Sequence, residues 1–223
     1  MSAATTAETT IPEGVPVIAG TIDAWSEAIS VGAQNPGDLM LMYGTTMFLI
    51  NTVEERLSST NLWGTVGALP GTRNLAGGMA TSGAITHWLR ELVGSPDYAT
   101  LIAEADASGD GAHGLLMLPY FTGERTPIAD SRARGMIAGL TVEHTRGDLY
   151  RATPEATAFG VRHNIEALRL AGDASIVRLE LAGERRAVCG PRLSVMSTGS
   201  PRRFPPSRLA RDVESDCARC RAP

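Results

Sequence analysis

Short apolar runs bounded by Gly or Pro alternate along this chain with longer stretches in which apolar residues recur every three or four positions, the signature of strands interleaved with helices. VPVIAG (15–20) has the pattern of a buried strand. IDAWSEAISVGA then places Ile22, Trp25, Ala28 and Ile29 at helical spacing, with Asp23 at or near the cap. NPGD (35–38) marks a turn, and DLMLMYGTTMFLINTV (38–53) predicts two strands broken at Gly44-Thr45-Thr46. Weaker strands are expected near 61–67 and 74–79. TSGAITHWLRELVG (81–94) predicts a helix capped by Thr81 or Ser82, carrying Ile85, Trp88, Leu89 and Leu92 on one face and stopped by Gly94. SPDYATLIAEADAS predicts another helix. GLLMLPYF (114–121) and GMIAGL (135–140) predict strands separated by a charged loop, and the pattern from Arg146 to Ala171 is helical. Pro154 interrupts it; a proline there removes a hydrogen bond at a cost of ~3 kcal/mol, so the helix is expected to start at Thr153 or to kink. No internal repeat is visible.

Composition narrows the class. The 223 residues, 43% of them apolar, suffice for one good core or two small ones. No apolar run approaches the ~18 residues that span a bilayer, and MSAATTAETTIPEG lacks both a charged and an apolar segment of a secretory signal. The expected setting is the cytoplasm, away from membranes. The three cysteines all lie beyond position 188 and frame no disulfide network for the body of the chain. Every cationic residue is arginine, unevenly placed. Residues 1–182 hold 11 Arg and 20 acids, a net −9, whereas residues 183–223 hold 9 Arg and 4 acids, a net +5. By itself such a basic tail reads as a solvated arm or a nucleic-acid contact.

Candidate chemistry begins with Asp23, which follows an apolar run and opens a helix. A carboxylate at the carboxyl end of a strand sits where open α/β sheets bind ligands, and it is equally an ordinary helix cap. Gly44-Thr45-Thr46 fits either a hairpin turn or a phosphate-contacting turn, since glycine lets the backbone approach an anion and hydroxyls donate to its oxygens. Gly83 and His87 lie one helical turn apart. GERTPIADSRAR (123–134) carries enough charge to suggest a phosphate site, but a structural role is the stronger reading. His113, His144 and His163 have no companion ligands at metal-binding spacing.

The order GVPVIAGTIDA, PGDLMLMYGTT, SGAITHWL and then LLMLPYFTGERTPIADSRARGMIAGLTVEHTRGDLYRATPEATAF resembles the C-terminal half of FGGY-family carbohydrate kinases such as xylulokinase, over roughly residues 5 to 178. Leu116 to Phe159 is the most specific part. Gly135, Ile137, Gly139 and Leu140, followed by Asp148, Leu149, Ala152, Thr153 and Glu155, run close to the family's second signature; Pro154 stands where that signature has a bulky apolar residue. The resemblance implies an α/β domain of the ribonuclease H-like, actin-like ATPase type, here incomplete, in which sugar and MgATP meet in a cleft. It also implies Asp23 as the base that accepts the sugar hydroxyl's proton, Gly44, Thr45 and Thr46 as the loop on the nucleotide phosphates, and Gly83 and His87 on a helix bordering the nucleotide. His87 departs from the glutamine that some members carry there. Asp23 is followed by Ala24 and Trp25 rather than glutamine, which favours a pentulose such as xylulose over glycerol.

The family's first phosphate loop, of the Asp-x-Gly-Thr type, and much of its sugar site belong to an N-terminal domain absent from this sequence. The expected partners are therefore the sugar, ATP with Mg, a complementing N-terminal domain, or a second copy associating through the uncovered face. An inactive remnant or binding module is the alternative to an enzyme. The expected division is a kinase domain over 1–180 and a basic tail over 181–223. After Arg178 the family continues into a Gly-Gly-Gly turn and helix that hold the adenosine, whereas this chain reads LAGERRAVCGPRLSVMSTGSPRR. With permitted codons chosen, one available translation of the frame beginning at each third base is GGGTAGRLWTQIVSDVNG, so a frameshift is expected between about Ser175 and Leu181. The tail's arginines then need no nucleic acid to explain them, and Cys217-Ala-Arg-Cys220 is a weak metal or redox signal.

Overall fold

The computed structural model describes residues 2–17, 20–172, 176 and 178–182. A short helix, α1 (Ala3–Thr9), buries nothing and precedes α2 (Asp23–Ser30). A meander of β1 (Asp38–Tyr43), β2 (Met47–Val53), β3 (Trp63–Val66) and β4 (Arg73–Met79) comes next, then the helices α3 (Gly83–Leu92) and α4 (Tyr98–Ser108). A small hairpin of β5 (Leu116–Leu118) and β6 (Met136–Ala138) leads into the long helix α5 (Arg146–Leu170), and β7 (Arg178–Ala182) ends the described chain.

The main sheet has the order β3-β4-β2-β1-β7. β1, β2, β4 and β3 pair antiparallel, whereas β7 returns through α5 to lie parallel to β1, with Asp38 opposite Arg178 and Met42 opposite Ala182. Two-residue alternation sorts the side chains into two layers. Leu39, Leu41, Met47, Leu49 and Leu75 pack with Leu62, Met79 and with Val161 and Leu168 of α5. Met40, Ile50 and Ala76 meet Ala24, Trp25 and Ala28 of α2 on the other face. A third cluster joins Ile85 of α3 to Ala152 and Ala156 of α5 and to Leu115 and Met117, and a fourth joins Leu89, Leu101 and Tyr150. Burial of each large aliphatic side chain contributes roughly 1.5–3 kcal/mol, so the sheet sandwiched between α2 and α5 is the principal source of stability.

The structure departs from the sequence reading in three places. Val15–Val17 and Gly20 are not in a strand, and Val17 is 68% exposed; residues 18 and 19 lie outside the described residues. An apolar run becomes a strand only where another strand takes its hydrogen bonds, and none among the described residues lies beside this one. α5 runs unbroken through Pro154. The carbonyl of Tyr150, which a residue at 154 would otherwise engage, accepts instead from the Thr153 hydroxyl at 2.7 Å, and the helix start is fixed a full two turns earlier by a capping box in which Thr145 and Asp148 exchange hydrogen bonds. Ile22, Ile29, Trp88 and Leu92, placed by spacing on one face of their helices, are exposed, although Trp88 packs its ring 4.8 Å from that of Phe121 between centroids. Asp23 is the first residue of α2, next to its N-cap Ile22, in keeping with a place at or near the cap.

Candidate functional site

The reversal between β1 and β2 is built by Gly44-Thr45-Thr46, closed by a hydrogen bond from the Gly44 amide to the Thr46 carbonyl at 3.0 Å. Its outer side is fastened to the start of α3. The Gly44 carbonyl accepts from the Gly83 amide at 2.9 Å and from the Ser82 hydroxyl at 2.8 Å, and the Thr45 carbonyl accepts from the amides of Ser82 and Ala84 at 3.0 and 3.2 Å. The turn's carbonyls thus occupy N–H groups that a helix start leaves without intrahelical partners. Ser82 is the N-cap by position but its side chain makes no capping bond, because the hydroxyl is turned to Gly44. Gly83 is required for this approach: a Cβ there would stand 2.7 Å from the Gly44 oxygen. Of the predicted site residues, the structure therefore brings Gly44, Thr45 and Gly83 together. Thr45 is exposed at the apex, and the hydroxyls of Thr45 and Thr46 make no hydrogen bond among the described residues.

Asp23 and His87 stand apart from that clamp. Asp23 is exposed, and one carboxylate oxygen accepts from the Ala24 amide at 2.7 Å. No hydrogen bond or ion pair among the described residues joins it to the Gly44–Thr46 turn. Its helix is held to the sheet by Trp25, which lies 6.2 Å from Phe48 between ring centroids. His87 is exposed on the outer face of α3, with Nδ1 3.3 Å from the Tyr98 hydroxyl and Nε2 3.4 Å from Glu91.

Behind the clamp lies a buried polar layer. The loop after β5 returns to the end of β4: the Gly78 amide donates to the Thr126 hydroxyl at 2.5 Å, that hydroxyl donates to Asn164 of α5 at 2.6 Å, and the Thr81 hydroxyl donates to the Pro119 carbonyl at 2.6 Å. Glu124, 5% exposed, accepts from the amides of Ala80 and Arg125 at 3.1 and 2.7 Å. Burial pushes its carboxyl up from the ordinary value and outweighs the two amide bonds and the Arg125 charge. The 123–134 loop is thus architectural: Glu124 ties it to the junction of β4 and α3, and Arg132 and Arg134 bond within the loop itself. A second carboxylate, Asp148, is 2% exposed at the start of α5. Burial opposes its charge, but bonds from Ser108, from the Thr145 amide and hydroxyl and from His113 Nδ1 at 2.7 Å hold its carboxyl well below the usual range.

Sequence reasoning missed Ser82 and Thr126. A serine before a helix reads as an N-cap, and only the fold shows its hydroxyl used on another turn; Thr126 gave no signal because its partners, Gly78 and Asn164, lie 48 and 38 residues away.

The assembly of a Gly-Thr turn on a helix start, behind a mixed five-stranded sheet with one parallel strand, can be set beside known proteins. Residues 39–201 match the FGGY family of carbohydrate kinases, C-terminal domain. This chain belongs to that family. It is 30% identical to the ribulokinase of Shouchella clausii over 71% of this chain and 31% of that protein, and 35% identical to the glycerol kinase of Saccharopolyspora erythraea over 76% and 35%. The crystal structure of xylulose kinase from Rhodospirillum rubrum superposes with a TM-score of 0.69 at 36% identity, covering 78% of this chain and 36% of that one. The fold is accordingly the actin-like α/β fold of FGGY kinases. The chain spans about a third of the length of the relatives it matches. The match runs to residue 201, past the position near 180 where the sequence reading divides the chain, so it does not itself mark that division.

Proposed function

We propose that this chain is the nucleotide-side portion of an ATP-dependent sugar kinase, transferring the γ-phosphoryl group of MgATP to a hydroxyl of a ketose such as xylulose. The observation that carries the reading is the Gly44–Thr45 turn, clamped by hydrogen bonds to α3 and presenting two threonine hydroxyls that have no hydrogen-bond partner among the described residues. Phosphoryl transfer asks a protein chiefly for positioning and for stabilisation of phosphate charge, and a rigid turn of this kind supplies both at one end of the nucleotide. Asp23 supplies the remaining group, a carboxylate free to accept the sugar hydroxyl's proton. In this reading Gly83 and His87 border the nucleotide, on the strength of the family resemblance. Among the described residues no group of three His, Cys, Asp or Glu could hold a metal ion. Mg²⁺ needs only one or two protein carboxylates when phosphates supply the rest, so the ion fits as a companion of ATP.

A second reading is favoured by one observation. Asp23 makes no hydrogen bond or ion pair with the Gly44–Thr46 turn among the described residues, and the chain spans about a third of its relatives, so an enclosed cleft requires more than these residues. In that reading the chain alone binds without turning over. Positioning accounts for ~7–11 kcal/mol of a barrier, which is the share an open half-cleft forgoes. No helix among the described residues is long and apolar enough to cross a membrane, and we place the protein in the cytoplasm with the metabolic kinases it resembles.

The test is calorimetric titration of the chain with MgADP, followed by a coupled assay with xylulose, ribulose and glycerol, alone and after addition of the N-terminal portion of a relative. The proposal expects ADP binding that weakens about tenfold in Thr45→Val, no turnover by the chain alone, and turnover with the complement that Asp23→Asn abolishes. Turnover absent from the complemented assay while ADP still binds supports the binding module. Absence of ADP binding both in the native chain and in a chain whose reading frame is restored near codon 179 overturns the nucleotide reading.

A further inference from the structure

We propose that Ser82 is a positioning residue for the Gly44–Thr46 turn: its hydroxyl holds the Gly44–Thr45 peptide with the carbonyl toward α3, and so turns the Thr45 amide, with that of Thr46, outward as donors to a phosphate. The phosphate rests on the kinase reading; the hold on the turn rests on geometry alone.

The hydrogen bonds of the turn divide by kind. All three carbonyls are occupied. That of Gly44 accepts from the Gly83 amide at 2.9 Å and the Ser82 hydroxyl at 2.8 Å, that of Thr45 from the amides of Ser82 and Ala84 at 3.0 and 3.2 Å, and that of Thr46 from the Gly44 amide at 3.0 Å. The amides of Thr45 and Thr46, by contrast, have no acceptor among the described residues. In a trans peptide the C=O of one residue and the N–H of the next point to opposite sides of the chain. Drawing the carbonyls of Gly44 and Thr45 onto α3 therefore sends the N–H groups of Thr45 and Thr46 away from it. Two successive outward N–H groups make a small concavity that suits an anion, and Thr45 is exposed at its apex.

The start of α3 does not compete for that anion. A helix N-terminus with open N–H groups is a ready anion site, but here the amides of Ser82, Gly83 and Ala84 are engaged by the turn and that of Ile85 by the Ser82 carbonyl at 3.0 Å. The donors for a phosphate are thereby moved from the helix to the turn.

Backbone amides at 82, 83 and 84 would be present with almost any residue, whereas the Ser82 hydroxyl is the one side-chain donor on the Gly44 carbonyl. Ser82 is fully buried, and its side chain makes no capping bond to its own helix, the use to which an N-cap serine is ordinarily put. Without the hydroxyl, the Gly44 carbonyl keeps a single donor, and a glycine sets no side-chain barrier to rotation of the peptide that follows it. Thr81 supplies the internal control. It is also buried, and its hydroxyl donates to the Pro119 carbonyl at 2.6 Å, away from the turn.

The test compares Ser82→Ala with Thr81→Val in the full chain, by calorimetric titration with MgADP and by the nitrogen–proton amide correlation spectrum of the ligand-free protein. Ser82→Ala is expected to split or broaden the Thr45 amide resonance, as the Gly44–Thr45 peptide takes both orientations, and to weaken MgADP binding roughly three- to tenfold, the contribution of one hydrogen bond. Ser82→Thr, which keeps the hydroxyl, restores both. Thr81→Val removes a buried hydroxyl of the same kind and lowers the melting temperature by a similar amount, yet leaves the Thr45 resonance and the affinity as in the native chain. If Ser82→Ala does not fold, Ser82→Thr against Ser82→Val makes the same comparison with side chains of nearly the same shape. An unchanged Thr45 resonance in Ser82→Ala, or a loss of affinity no greater than that of Thr81→Val, overturns the proposal. A native chain that binds no MgADP overturns the kinase reading and the phosphate role with it, while the ligand-free spectrum still decides whether Ser82 holds the turn.

Discussion

Gly83 shows how a single hydrogen atom in place of a side chain sets the site. Its Cα faces the Gly44 carbonyl so closely that a methyl group would sit 2.7 Å from the oxygen, and the obstacle is backbone rather than a side chain that can rotate away. Gly83→Ala is expected to lose about 1–3 kcal/mol by overpacking, partly offset by up to ~1 kcal/mol of helix propensity, and to weaken ADP binding; urea unfolding and calorimetry measure the two. The buried carboxylates give opposite pH signatures. Asp148 is held below its ordinary value of 3.8, so its contribution is complete above that value and is lost as pH falls through the folded one. Asp148→Ala removes the capping acceptor and strands Ser108 and His113, and is expected to cost about 2 kcal/mol at pH 7, with the gap to the native chain narrowing as pH falls below 3.8. Glu124 is raised above 4.5 by burial, so its favourable protonated state holds below that value and is lost as pH rises through the folded one. Glu124→Gln keeps an acceptor for the Ala80 and Arg125 amides and is expected to melt at or above the native chain at pH 8, with no advantage at pH 4. Melting curves across pH 2–8 that fail to diverge in these two directions refute the assignment.

At the scale of elements, α5 combines a strong start with a weak middle. Its capping box and the Thr153-to-Tyr150 bond let 25 residues run through a proline. Pro154→Ala is expected to stabilise the chain by about 1–3 kcal/mol, since the proline's lost amide bond is restored; guanidinium unfolding with an unchanged slope is the check. The same helix explains what periodicity could and could not reveal. The positions of β1 and β2 and of α3 were legible because alternation and four-residue spacing are local properties of DLMLMYGTTMFLINTV and TSGAITHWLREL. The unbroken α5 was not, because proline's cost is local while its compensation depends on one rotamer of the neighbouring threonine. VPVIAG misled for the opposite reason: a strand is completed by a neighbour, and no pattern within six residues states whether one exists. In the site, Gly44-Thr45 and Gly83 were legible as residue types, but the contact of Gly83 with Gly44, far apart in the chain, belongs to the fold.

Across the whole molecule, charge divides the acidic body of the chain from the basic segment beyond Ala182. Residues 1–182 carry a net −9 and residues 183–223 a net +5, so the expected outcome at low ionic strength is association of the tail of one copy with the acidic body of another, on a surface that also exposes Val66, Leu116, Val142 and Leu170. Such attraction between exposed charges is screened beyond ~8 Å at physiological salt. A chain ending at Ala182 is expected to sediment as a smaller species than the full chain in 20 mM salt, the two becoming alike at 500 mM. Apolar contact between copies gives a different result, because it is strengthened rather than screened by salts excluded from the protein surface. If association persists unchanged after truncation and at high salt, the exposed apolar face rather than the arginine tail draws copies together, and the uncovered side of the half-cleft becomes the surface to mutate.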